Sequence, residues 1–289
     1  MTAENRLRAL VAEELGLTVD PRVSAMAEAI ADKHAPASRA VLFYGSCLRE
    51  RELAGRMLDF YLIVADYRSA YGKSWLAAAN RLIPPNVFYF ESDGLAAKYA
   101  VLSEADFHRL NGPETSSVSV WARFAQPARL VWSTGAAARR RAIDAVARAA
   151  PALLAAAGPQ PDEEPLALWR RAFALTYSAE LRAERQGRAQ SVVDVDPERY
   201  RRFTAPALAA AAAIPGRGNW AWRRVEGKAL SVLRLAKASA TFAGGADYIA
   251  WKINRHAGTD IQLKPWQRRW PLLAAISLLP RLLKTGAVR

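Results

Sequence analysis

The spacing of apolar and polar residues divides the chain into a first half rich in strands and a second half of helices. Between residues 4 and 34, Leu7, Leu10, Val11 and Leu15, then Met26, Ala29 and Ile30, recur at helical intervals. That spacing lines one face of each of two helices, and Pro21 suits the first turn of the second. Short apolar runs at 40–44, 58–64, Asn86–Phe90 and Ala97–Leu102 have the length and the β-branched and aromatic content of strands. Between the second and third, Ala70–Leu82 predicts a helix that Pro84-Pro85 stops. Ser103 stands where an N-cap belongs, ahead of Glu104-Ala105-Asp106-Phe107. Trp121–Phe124 predicts a helical turn, and Ala128–Trp132 a fifth extended segment.

From 136 to about 157 the chain is alanine-rich and helical, and Gly158-Pro159-Gln160-Pro161-Asp162 has the composition of a linker. Pro165–Gln186 carries Trp169, Phe173, Tyr177 and Leu181 on one helical face, and Pro197–Ala213 predicts another helix. After a break at Pro215-Gly216-Arg217-Gly218, Val225–Thr241 reads as a basic helix that Gly244-Gly245 interrupts and Tyr248–His256 resumes. There is no internal repeat. Strands early and helices late predict an α+β protein. The expected organisation is a mixed-sheet domain over 1–157, a helical second domain, winged-helix-like in one reading, over 158–216, and a basic amphipathic helical region over 217–289.

Charge sharpens that last boundary. The chain of 289 residues carries a net charge of +14, but residues 217–289 hold 14 Lys/Arg against 3 Asp/Glu, so +11 sits there and +3 in the rest. A basic end of this kind suits an anionic lipid surface or a nucleic acid. The single cysteine, Cys47, excludes a disulfide framework and a cysteine metal site. His34, His108 and His256 have no ligand-like spacing and read as surface or core residues. The N-terminus lacks an apolar signal core, and no apolar run reaches the ~20 residues of a spanning helix. A cytoplasmic or membrane-surface protein is expected.

Candidate chemistry enters at Val41-Leu42-Phe43-Tyr44-Gly45-Ser46 and at Asp59-Phe60-Tyr61-Leu62-Ile63-Val64. The first is a strand running into a Gly-Ser turn, whose N–H groups and hydroxyl can cradle a phosphate. The second is a strand opening on a carboxylate able to hold a divalent cation against that phosphate. This layout resembles the nucleotidyltransferase fold. That fold commonly has a second carboxylate two residues on, on the same strand face, and here the position is Tyr61. Asp66 falls on the other parity and reads as a turn residue. Either the site is inactive or its second carboxylate comes from elsewhere in the chain.

Longer stretches resemble the mitochondrial-type phosphatidate cytidylyltransferases, the peripheral CDP-diacylglycerol synthases, as a divergent, bacterial-type member. The resemblance runs in order through Tyr44-Gly45-Ser46, Leu58-Asp59-Phe60, Lys98-Tyr99-Ala100-Val101-Leu102-Ser103, Trp121 with Phe124, and Arg129-Leu130. It continues through Thr176-Tyr177-Ser178-Ala179-Glu180-Leu181-Arg182, Lys237 to Gly244, and Tyr248 to Lys252. Glu180 stands where the family has an aspartate and Ala179 where it has a glycine. Ala70-Tyr71-Gly72-Lys73-Ser74-Trp75 replaces a histidine-containing element. The resemblance implies transfer of a cytidylyl group from CTP to phosphatidate with release of pyrophosphate, supported by Mg²⁺ or Mn²⁺. It implies Asp59 and Glu180 as catalytic, metal-holding carboxylates, and Gly45, Ser46, Lys98, Arg129 and Arg182 as nucleotide and phosphate contacts. It also implies residence on the cytoplasmic face of an inner membrane, with Lys264–Leu273 and Leu278–Lys284 as interfacial anchors that mix Trp, Leu and cations. Two other readings stand beside it. One is a soluble nucleotidyltransferase acting on RNA or a small molecule, although nucleic acid is the less favoured partner. The other is a non-catalytic membrane-binding protein that keeps the fold.

Overall fold

The computed structural model describes residues 2–49, 52–53, 55–181, 192–214, 219–241 and 262–269. Helices α1 (Ala3–Leu15) and α2 (Pro21–Asp32) precede strand β1 (Ser38–Tyr44), which a short 3-10 turn (Ser46–Arg49) connects towards β2 (Met57–Val64). Next come α3 (Tyr67–Ala70), α4 (Ser74–Leu82), β3 (Asn86–Ser92), β4 (Leu95–Ser103), α5 (Glu104–Leu110), α6 (Trp121–Phe124) and β5 (Ala128–Ser133). The remainder is helical: α7 (Ala136–Ala147), α8 (Ala149–Ala157), α9 (Pro165–Ala179), α10 (Pro197–Ala211), α11 (Trp220–Thr241) and α12 (Pro265–Arg269).

The five strands form one mixed sheet in the order β3-β4-β2-β1-β5, parallel only between β2 and β4. The architecture is therefore α+β. The β3–β4 hairpin turns through Asp93 (φ 51°) and Gly94 (φ 72°). Both central residues are left-handed, which matches a two-residue turn to the twist of the strands and explains the Asp-Gly pair. Side chains alternate across the sheet, so it has two cores. Leu42, Tyr61, Ile63, Leu102 and Leu130 face α1 and α5 to α10, whereas Val41, Phe43, Phe60, Leu62 and Val101 face Val23, Met26 and Ile30 of α2.

Several boundaries differ from the sequence reading, among them the start of α11 at Trp220 rather than Val225, and three have a packing reason. The helix expected over Ala70–Leu82 starts only at Ser74, and a separate one-turn helix, α3, precedes it and ends at Ala70. Asp66 caps α3 by accepting from the N–H groups of Arg68 and Ser69, and extended Tyr71 then turns its ring into the core, where Asn80 donates to its hydroxyl at 3.2 Å. The helix expected to reach Gln186 ends at Ala179 with extended Glu180, and the N–H of Leu181 donates to Ser231 of α11 at 3.3 Å. The segment 158–162, read as a linker between domains, is a helix–helix connection. Gly158 closes α8 in a left-handed conformation, and Arg171 of α9 donates to the carbonyls of Ala157 and Gly158. Trp169, Phe173 and Tyr200 share one continuous core with Leu7, Tyr61 and Trp121, so the division expected at 158 falls inside that core. Of the expected C-terminal elements, Tyr248–His256, residues 270–273 and Leu278–Lys284 lie outside the described residues. Among the described residues, no helix is long and apolar enough to cross a membrane.

The second core holds a buried histidine. One ring nitrogen of His34, Nδ1, lies 3.0 Å from the carbonyl of Ala70 and Nε2 lies 3.0 Å from the hydroxyl of Tyr99. A carbonyl only accepts, so Nδ1 carries the proton and the neutral ring accepts from Tyr99 through Nε2. The rings of Tyr71 and Tyr99 stand edge-on to it. Burial holds the His34 pKa below its ordinary 6.5, with Lys33 adding to the shift and the Ala70 contact opposing it. Unfolding then takes up a proton, so stability falls as pH drops below about 6.5. In denaturant titrations at pH 5.5 and 7.5, the difference in midpoint is expected to be smaller in His34→Phe than in wild type. An equal difference would assign the acid sensitivity to other groups.

Candidate functional site

One row of residues crosses all five strands. Tyr89 on β3 is opposite Lys98 on β4, which pairs with Asp59 on β2, Tyr44 on β1 and Ala128 on β5. The row lies where β1 ends and β2, β4 and β5 begin. Strand register therefore puts Asp59 and Lys98 side by side, with Lys98 Nζ 3.0 Å from Asp59 Oδ1 and both side chains partly exposed. Gly45 follows Tyr44 with φ +93°, and a Cβ there would stand 3.1 Å from Asp59 Oδ2. A side chain at 45 is thus disfavoured twice, by backbone strain and by crowding against the carboxylate. Ser46 begins the 3-10 turn beside it, and the next residue, buried Cys47, directs its thiol to the carbonyl of Met57.

Two residues along β2, on the same face, is Tyr61. Its ring packs against Tyr44 (centroids 5.3 Å) and Phe124 (5.2 Å). Where the sequence lacks a carboxylate on β2, the structure brings one from α9. Glu180, the residue that ends α9, is only 8% exposed. Asp59 and Glu180 share Tyr61 and Arg123 as electrostatic neighbours. Burial raises the Tyr61 hydroxyl pKa; Arg123 and Arg234 oppose the shift, and Glu180 and Asp59 add to it. Burial works against the charge of Arg123, but Tyr61, Glu180, Tyr44 and Asp59 outweigh it and hold its pKa above the ordinary arginine value. Burial lowers the pKa of Arg234, with Glu180 as the leading opposing influence.

The wall formed by α11 was not legible in the sequence. Arg234 donates to the carbonyl of Pro84 at 2.9 Å and to Ser117 Oγ at 3.3 Å. One turn on, Lys237 donates to the carbonyls of Ile83 and Pro85. Burial draws its pKa down to about 7, with Arg234 reinforcing the shift. Closer to the helix start, Ser116 donates to Glu226 Oε1 at 2.7 Å. Arg123 and Arg234 complete the cluster yet carry no sequence signature. The only available hint for Arg123 was its place between Trp121 and Phe124, both buried.

Gly227 lets α11 come this close. A Cβ on it would stand 2.2 Å from the backbone carbonyl oxygen of Ala179, the residue before Glu180. No side-chain rotation can relieve that contact, so α9 and α11 must separate. Gly227→Ala is expected to destabilise the fold by about 1–3 kcal/mol, the usual range for overpacking, and to displace Glu180. The check is a denaturant midpoint; an unchanged midpoint would show that the crossing yields without loss.

Of the other residues expected at the site, Arg129 stands one position beyond Ala128 on β5, opposite Phe43. Its charged neighbours are Glu14, Arg199 and Asp196 rather than Asp59. The structure thus brings Asp59, Glu180, Lys98, Gly45 and Ser46 to one end of the sheet and directs Arg129 elsewhere. Arg182 lies outside the described residues. Chemically, the arrangement offers hard carboxylate oxygens of the kind Mg²⁺ prefers, a close approach of the Gly45 backbone to Asp59, and the cations Lys98, Arg123 and Arg234 as neighbours of one or other carboxylate. Among the described residues, no group of three or more His, Cys, Asp or Glu side chains is placed to hold a metal.

These features define an α+β protein with two carboxylates, Asp59 and Glu180, that share Tyr61 and Arg123 as electrostatic neighbours at one end of a mixed sheet. Compared with protein-family models and with curated proteins, the sequence gives no match.

Proposed function

We propose that the chain is a nucleotidyltransferase of the phosphatidate cytidylyltransferase type, converting CTP and phosphatidate to CDP-diacylglycerol and pyrophosphate at a membrane surface. One observation carries this reading: Asp59, beside Gly45 at the end of β1, and buried Glu180 share Tyr61 and Arg123 among several cations. Carboxylates and cations gathered at one strand end are what a triphosphate bound with a divalent metal requires.

Asp59 and Glu180 are the residues that would hold Mg²⁺ or Mn²⁺, which when bound offsets the charge of the triphosphate and polarises its α-phosphorus. The turn at Gly45 and Ser46 offers N–H groups and a hydroxyl to phosphate oxygens. Lys98 and Arg123 neutralise charge that develops on the departing pyrophosphate. Arg234 and Lys237 are the cations that would receive the phosphate of the acceptor. In the transfer, an oxygen of the acceptor phosphate forms a bond to the α-phosphorus. The bond from that phosphorus to the bridging oxygen breaks, and pyrophosphate leaves with the electron pair. A phosphate monoester, with a second pKa near ~6 as in phospho-amino acids, already carries the attacking lone pair, so no general base is needed. Positioning and charge neutralisation then carry the catalysis.

Incubation of the purified chain with radiolabelled CTP, Mg²⁺ and vesicles containing phosphatidate tests the reading. Label is expected in the organic phase only when phosphatidate and the divalent cation are both present. Label that remains water-soluble under all conditions would overturn it, and transfer to RNA instead would establish a soluble nucleotidyltransferase.

A further inference from the structure

At the end of the sheet away from Asp59, helices α1, α5 and α7 leave a cleft of about 420 Å³. Ala40 and Ile63, paired across β1 and β2, line it from the sheet, with Phe107 of α5 and Ala138 and Ala142 of α7. All five are buried and form its floor. Asp59 lies on the same sheet face as Ile63, about 13 Å back along β2 at about 3.3 Å per residue. Neither Asp59 nor Glu180 nor any of their charged neighbours lines the cleft, so it is a separate site. Its mouth is charged. Arg141 of α7 stands 2.7 Å from Glu104 of α5, and Arg8 of α1 stands 3.2 Å from Asp144 of α7 and 3.5 Å from Glu4. His108 also lines it, with Nε2 2.7 Å from Arg148. A guanidinium only donates, so that nitrogen accepts and the ring is uncharged; burial and Arg148 hold its pKa below the ordinary 6.5. Two arginines and two carboxylates therefore line the mouth without a net charge.

An apolar floor with a few polar groups at the rim is the build of a small-molecule site, and the volume falls in the usual range of about 300–1,000 Å³. The rim decides which small molecule. An anion that took Arg141 would leave Glu104 without its counter-charge, and a cation that took Glu104 would leave Arg141 without one. A neutral molecule over the mouth would strip water from both ion pairs and return no hydrogen bond. A ligand that carries both charges on neighbouring atoms exchanges with an ion pair as a whole. Of the two carboxylates, Glu104 is the deeper, 25% exposed against 44% for Asp144. Its contact with Arg141 runs from Nε, so the terminal nitrogens of that guanidinium can form the two-pronged pairing with a ligand carboxylate. We propose that this cleft binds a small zwitterion of the apolar α-amino-acid class. The side chain lies on the floor of Ala40, Ile63 and Phe107, the carboxylate pairs with Arg141, and the ammonium pairs with Glu104. This site goes beyond the proposed function and does not depend on it.

Four probes with a common phenethyl body separate the possibilities by charge alone: L-phenylalanine, 3-phenylpropionate, 2-phenylethylamine and 2-phenylethanol. Each is titrated calorimetrically into the full chain, up to about 10 mM, with no CTP or phosphatidate present. Saturable one-to-one binding of L-phenylalanine is expected, with the other three weaker by about 10-fold or more. Arg141→Gln, which removes the carboxylate's partner, and Ala142→Leu, which fills the floor, are each expected to weaken L-phenylalanine binding by about 10-fold or more. Arg140→Gln, at an exposed position of the same helix outside the cleft, is expected to leave it unchanged. Melting temperatures without ligand distinguish lost binding from lost folding, and if Ala142→Leu does not fold, Arg141→Gln at its exposed position carries the test. Saturation by neither L-phenylalanine nor L-leucine would overturn the assignment. So would equal binding of all four probes, or a preference for 3-phenylpropionate, which would make the mouth a simple anion site. Binding of L-phenylalanine that neither variant weakens would place it elsewhere on the chain and overturn the assignment as well.

Discussion

Asp59→Asn is expected to lower cytidylyl transfer by about 100-fold or more while shifting the melting temperature by no more than about 4 °C. The two halves of this expectation have different origins. The ion pair with Lys98 joins side chains that are 20% and 26% exposed, and pairs open to water contribute only about 0–1 kcal/mol to stability. The isosteric amide keeps the space that Gly45 leaves beside position 59, so the strand end has no reason to rearrange. Under the proposed function, transfer in contrast loses the strand-borne carboxylate of the cluster. Initial rates with labelled CTP, set beside a thermal melt of the same sample, separate the cases. Retained activity would remove Asp59 from the chemistry. A large loss of stability together with activity would make it a structural residue whose ion pair orders the end of the sheet.

The largest effect on stability is expected at a different ion pair. Glu14 of α1 accepts from Arg199 of α10, with Nη2 at 2.9 Å from Oε1, and the two side chains are 10% and 7% exposed. Arg199 also donates to the carbonyl of Ala125 at 3.0 Å and lies over the rings of Tyr200 and Phe203. Burial alone would depress its pKa, and Glu14 more than restores it. Glu14→Ala therefore leaves a guanidinium out of water with a carbonyl and two ring faces in place of a counter-ion. Breaking a buried pair from one side typically costs about 3–5 kcal/mol, which corresponds to a fall of about 10 °C in melting temperature for a chain of this size. The double variant Glu14→Leu with Arg199→Met is expected to recover most of the loss, because two apolar groups of similar volume leave no charge stranded. Calorimetry of the three proteins checks this. Equal destabilisation of the single and double variants would show that packing volume, rather than the stranded charge, sets the cost.

The two ion pairs also show how differently the structure was written into the sequence. Strands β1, β2 and β4, helices α1 and α2, and the cap at Ser103 follow from local rules: period, β-branched content, and a hydroxyl ahead of an acidic turn. Asp59 at the start of a strand and Gly45-Ser46 at the end of another were legible for the same reason, since each is a local motif with its own chemistry. Asp93-Gly94 is an equally local signal, for the β3–β4 hairpin.

What the sequence alone determined is therefore most of the elements, the α+β class and the strand-borne half of the cluster. Register decided that Lys98 would stand beside Asp59, because a parallel pairing of β2 and β4 aligns residues thirty-nine positions apart. Packing decided the rest. Glu180 becomes an electrostatic neighbour of Tyr61 where α9 ends, at the point where Gly227 and Ser231 of α11 meet the end of that helix. Arg129, adjacent in sequence to a residue of the central row, has Glu14 and Arg199 as its charged neighbours. Periodicity reports which face of an element is apolar. It does not report which elements those faces meet, and that meeting is what joins a carboxylate from one helix and cations from another to an aspartate on a strand.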